Sequence, residues 1–74
     1  MKKNYTICTK TEEESGLVMK TLVSHNVCDI RRKNAIMFNA FIKFCCEKKV
    51  WKEIKKELNL EVDEVFVRFK KEES

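Results

Sequence analysis

A chain of 74 residues has room for one small domain and not for two. Hydrophobic residues make up 43% and charged residues 38%, which excludes a disordered tail and a membrane-embedded segment. No Pro and a single Gly, Gly16, exclude collagen-like, Pro-rich and Gly-loop phosphate-binding readings, while 16 basic against 12 acidic residues leave a modest +4.

The N-terminus, Met1 to Thr6, carries basic residues without the roughly 7–15 apolar residues that a secretory signal needs behind them. Tyr5, Ile7 and Thr9 then alternate with Thr6 and Cys8, which predicts a short strand over 5–9. Thr11 followed by Glu14 is a capping-box pair, with Glu12 and Glu13 suited to the positive end of a helix dipole. Leu17, Val18, Met19, Leu22 and Val23 supply its apolar face, so a first helix is expected over 12–25.

Residues 26–33 read as a connection, and Asn34 as the cap of a second helix. From Ala35 to Cys46 only Asn39 and Lys43 interrupt an apolar run, the pattern of a helix buried on most sides. A third helix opens at Lys48 or Lys49, with Val50, Trp51, Ile54 and Leu58 on one face and Asn59 at its C-terminal turn. The last apolar segment fits two periods. Val62, Val65, Phe66 and Phe69 form a helical stripe, whereas Val65, Val67 and Phe69 alternate as in a strand. The expected fold is therefore mainly α, a three- to four-helix domain over 1–74 with a short N-terminal strand. The alternative is an α+β domain with a two-stranded antiparallel ribbon from residues 5–9 and 62–69.

The charge is uneven. Residues 31–56 carry Arg31, Arg32, Lys33, Lys43, Lys48, Lys49, Lys52, Lys55 and Lys56 against Glu47 and Glu53, a local excess of +7. On a helix, Lys48, Lys52, Lys55 and Lys56 share one side, which suits phosphates and equally suits the solvated face of an amphipathic helix. Arg31, Arg32 and Lys33 gain nothing from a dipole near a helix start, so they point more strongly to an anionic partner.

Residues 51–70 resemble the helix-turn-helix superfamily. Ile54 and Leu58 match the anchors of its first helix, Asn59 and Leu60 its turn, and Val65 and Phe69 the anchors of its recognition helix. Residues 5–45 more distantly resemble ribbon-helix-helix repressors, with Asn34, Met37, Ala40, Phe41 and Phe44 at that family's cap and core spacing. The first resemblance implies DNA binding and transcription regulation. The second implies a homodimer whose paired strands enter the major groove, with Thr6 and Cys8 facing outward.

Combining charge and resemblance, the expected function is a small regulatory protein that binds nucleic acid, DNA above all, through a basic surface. Its contacts would come from Arg31, Arg32, Lys33, Lys48, Lys52, Lys55, Lys56 and Arg68. The alternative is a protein-binding modulator or inhibitor encoded by a phage or other mobile element, with Glu61, Asp63 and Glu64 mimicking phosphates. No enzyme is expected, since His25 and Cys28 have no orienting third group. No metal or other cofactor is expected either, because Cys45 and Cys46, adjacent on a helix, would point about 100° apart. Four cysteines read as reduced thiols, and no run approaches the roughly 20 apolar residues of a membrane helix, so a cytoplasmic location is expected.

Overall fold

Thr11 opens the first helix, α1 (Glu12–Ser24): its side chain accepts a hydrogen bond from the Glu14 backbone N–H at 3.1 Å. Glu14 in turn accepts one from the Lys10 N–H at 2.8 Å, so two groups at the helix start are satisfied reciprocally. The computed structural model describes residues 1–37, 39–62 and 67–70. Among these, β1 (Lys2–Thr9) precedes α1, and β2 (Cys28–Asn34) and β3 (Ala40–Glu47) follow it. The chain then forms α2 (Lys48–Leu58), β4 (Leu60–Val62) and β5 (Val67–Phe69). No helix among the described residues is long and apolar enough to cross a membrane.

The strands build one five-stranded mixed sheet in the order β2-β3-β1-β5-β4. This α+β architecture replaces the expected mainly α domain. The predicted central helix from Asn34 to Cys46 is the end of β2, a loop, and β3. Ala40, Ile42, Phe44 and Cys46 are buried while Lys43 and Glu47 are exposed, a period of two. Phe41 and Cys45 on the other face are also apolar, which disguised that period as a continuous run. The predicted connection over 26–33 is mostly β2, paired antiparallel with β3.

The C-terminal reading changes as well. Residues 51–58 are helical as the helix-turn-helix resemblance requires, and Asn59 takes the left-handed conformation (φ 54°) that stops α2. Beyond Asn59 the chain forms the hairpin β4–β5 instead of a recognition helix. Leu60, read as part of the turn, and Phe69, read as a recognition-helix anchor, face each other across that hairpin. Val65 and Phe66 lie outside the described residues. The alternative ribbon is corrected too: β5 pairs with β1 in parallel, Ile7 against Val67, and β3 takes the other side of β1 in antiparallel register from Lys2↔Glu47 to Thr9↔Ala40. The ribbon-helix-helix arrangement falls with the same finding, because β3 stands where its core helix would be.

Both helices cover one face of the sheet. Ile7, Ile42 and Phe44 of the strands pack with Val18 and Leu22 of α1 and with Trp51, Ile54 and Leu58 of α2. Tyr5 stacks on Trp51 with ring centroids 4.4 Å apart, and Phe44 tilts against the same indole at 5.8 Å. At the far end of that face, Thr9 and Ser15 are fully buried, with their hydroxyl oxygens 2.7 Å apart. The Ser15 hydroxyl donates to Asn39 Oδ1, and the Asn39 side-chain amide donates to Glu12 at 2.7 Å. Thr9→Val keeps the shape and removes one buried hydroxyl, so a loss of about 1–3 kcal/mol in unfolding free energy is expected in urea titration.

Candidate nucleic-acid interface

With α1 and α2 on one side, no helix among the described residues lies on the other face of the sheet, where Cys8 is buried and Phe41 half-buried. Strand alternation and register decide which residues it carries. Thr6 of β1 stands beside Lys43 of β3, and Lys43 beside Arg31 of β2. One step along, Cys8 stands beside Phe41, Phe41 beside Lys33, and Cys8 on its other flank beside Arg68 of β5. Two rows therefore cross the open face, Arg31–Lys43–Thr6 and Lys33–Phe41–Cys8–Arg68.

A β-bulge makes this possible. Cys28 pairs with Cys45, but the next partner of Lys43 is Arg31 and not residue 30, so β2 has one extra residue there. Asp29 absorbs it with φ 57°, a left-handed conformation that Asp tolerates better than most residues. The extra residue rephases β2 so that Arg31 and Lys33 reach the open face while Ile30 packs against the core. Arg32 is turned to the helix side, where its guanidinium bonds Glu12.

Phe41 is half-buried on the open face, one step from the start of β3 and beside the β2–β3 loop, with exposed Lys33 across the ladder and exposed Lys43 two residues along the strand. Beside it lies a hollow of about 480 Å³ between the sheet and the β2–β3 loop, lined by Lys33, Asn34, Met37, Phe41 and Lys43 among others. The loop residues Ile36 and Met37 are exposed at its rim. A second hollow of about 580 Å³ lies over Asn4, Thr6, Arg31 and Lys43, with Asp29 as its one lining carboxylate. At the β4 edge, Arg68 Nε lies 3.4 Å from Glu61 Oε1.

The predicted contact residues thus divide between two surfaces. Arg31, Lys33 and Arg68 come together on the open face. Lys48, Lys52, Lys55 and Lys56 lie on α2, on the helix side, and Arg32 is engaged with Glu12. Side-chain hydrogen bonds from Arg32 and Asn39 hold the Glu12 carboxyl below its ordinary range. That contact contributes at neutral pH and is lost as the pH falls through the lowered value. Of the acidic trio, Glu61 faces Arg68, and Asp63 and Glu64 lie outside the described residues. Sequence reading placed Lys43 only within the basic region over 31–56, without naming it as a contact, and assigned no contact role to Phe41. Their signal is the alternation Phe41-Lys43-Cys45, visible once residues 40–47 are known to be a strand.

The two buried thiols, Cys8 and Cys46, are poorly suited to nucleophilic chemistry. Burial pushes Cys8 and Cys46 up, so both stay protonated at neutral pH. His25 is tied to α2, with Nε2 2.6 Å from Glu57 Oε2 and Nδ1 3.7 Å from Glu53 Oε2. Among the described residues no group of three or more His, Cys, Asp or Glu side chains could hold a metal ion. Comparison with protein-family models gives no match, and comparison with curated proteins and with solved structures gives none either.

Proposed function

We propose that the protein is a small regulator that binds single-stranded nucleic acid on the open face of its sheet. The observation that carries this reading is Phe41, half-buried on that face near the start of β3 and bracketed by Lys33 and Lys43. A base stacks on an aromatic ring whatever its identity, and neighbouring cations take the phosphates on either side. Arg31 and Lys43 in the adjacent row extend the cationic track, and Asn4 and Thr6 offer hydrogen-bonding groups beside it.

Shape favours a single strand over a duplex. Five strands spaced about 4.8 Å apart make a face about 19 Å wide, which does not enter a major groove about 12 Å wide. An unstacked strand lies on such a face with its bases turned inward. The binding residues proposed from the sequence on this face, Arg31, Lys33 and Arg68, keep their role in a different geometry.

Fluorescence anisotropy with labelled thymidine and uridine strands, and with a duplex, across a salt series tests the reading. The single strands are expected to bind more tightly than the duplex, with log K falling against log salt at about −0.7 per phosphate contact, or about −2 for three contacts. Arg31→Glu and Lys43→Glu are each expected to weaken binding and flatten that slope while the urea midpoint stays put. Tighter binding to the duplex, or no binding of either strand at low salt, defeats the proposal. The thymidine and uridine arms separate DNA from RNA preference.

A further inference from the structure

A second cationic surface lies on the helix side, at the edge of the sheet. Helix α2 segregates its charges: Glu53 and Glu57 turn toward His25 at the end of α1, with the closest approach 2.6 Å. Lys52, Lys55 and Lys56 turn the other way, toward β4. Together with Lys70 they line a hollow of about 430 Å³ floored by Leu60 and Val62. No carboxylate is among its described lining residues, and none of the four lysines forms an ion pair among the described residues. Lys55 Nζ sits 5.5 Å from the Trp51 ring, which keeps its charge at the rim. The C-terminus of α2 offsets only about half a charge of the four.

Lys70 connects this hollow to the open face. Its backbone N–H donates to the Asn59 carbonyl at 3.1 Å, which fixes it against the end of α2. The same residue, with Lys10 and Arg68, lines a third hollow where β1 and β5 end, and Glu13 and Glu14 of α1 line its other side. Lys70 is therefore the cation shared by that hollow and the lysine hollow beside Lys56.

We infer that the lysine hollow holds the phosphate backbone of the same single strand after it passes over the end of β5, extending the site beyond the bases on Phe41. The inference rests on the open-face reading. The ligand it takes is phosphodiester, not base: the described lining offers ammonium groups, the Asn59 amide and aliphatic side chains, and no aromatic face lies among those described residues.

The test compares thymidine strands of about 4 and about 16 nucleotides, the range of site sizes in small single-strand binders. Lys52→Gln/Lys56→Gln removes two exposed charges and leaves Lys55 on Trp51. For the longer strand, a several-fold loss of affinity and a salt slope shallower by about 1.4 are expected, two contacts at about 0.7 each. The shorter strand is expected to bind the variant as it binds the wild type, while Lys43→Gln weakens both lengths. An unchanged slope for the longer strand overturns the inference, and so does equal weakening of both lengths. In either case a short strand that still depends on Lys43 leaves the open-face reading intact. If the wild type binds neither length, both fail together.

Discussion

Phe41→Ala lowers the affinity for a single strand by about five- to 150-fold, the equivalent of about 1–3 kcal/mol for one lost base stack. The residue sits on β3 between Lys33 and Lys43, on the face opposite the helices, so its ring contributes little to the packing under α1 and α2. Phe41 is half-buried, so the urea midpoint of the variant is measured beside its affinity. The expected signature is a drop in affinity with an unchanged salt slope, because the phosphate contacts stay. Phe41→Trp, which keeps an aromatic surface, is expected to restore most of the binding. Charge reversal at Lys43 does the converse, changing the slope as well as the affinity. An alanine variant that binds like the wild type would remove Phe41 from the site and leave only a cationic face.

Trp51→Ala has the largest expected effect on stability, about 3–5 kcal/mol. The indole is buried between Tyr5 and Phe44, with centroids at 4.4 and 5.8 Å, and it joins α2 to the two central strands. A domain of 74 residues has about 4–11 kcal/mol of stability in total at 0.05–0.15 kcal/mol per residue. Losing its largest core side chain therefore leaves it at the margin of folding. Urea titration followed by circular dichroism measures this directly, and a midpoint shift smaller than that of Thr9→Val would place the centre of the core elsewhere. Trp51→Phe is expected to recover much of the loss, since it refills most of the space without a new polar group.

The bounds and caps of the two helices were legible, although Leu17 and Val23, read into the apolar face of α1, are exposed. Thr11 and Glu14 cap α1 where the capping-box pattern places them, and the apolar spacing of Trp51, Ile54 and Leu58 turns that side of α2 inward. Asn59 ends α2 in the left-handed conformation that its chemistry allows. Such signals are local: a helix bonds each residue to one four positions away, so sequence spacing carries its geometry. The strand over residues 5–9 was readable from the alternation of Tyr5, Ile7 and Thr9 with Thr6 and Cys8, although Cys8 is buried as well.

Residues 34–46 were not legible in this way. An apolar residue at 41 and another at 45 fill the gaps in the period-two pattern, and the resulting run reads equally as a buried helix. The sheet decides otherwise, because pairing with β1 along its whole length satisfies the backbone of residues 40–47. The candidate face depends still more on tertiary structure. Arg31 and Arg32 are neighbours in a cationic cluster, yet the bulge at Asp29 sends one to the open face and the other to Glu12. Lys33, Phe41, Cys8 and Arg68 belong to four strands and meet only through register. Composition and charge located the cations, and helical spacing located α1 and α2. Which cations share a surface was decided by strand partners far apart in the chain, and by a single extra residue that changes the side a strand presents.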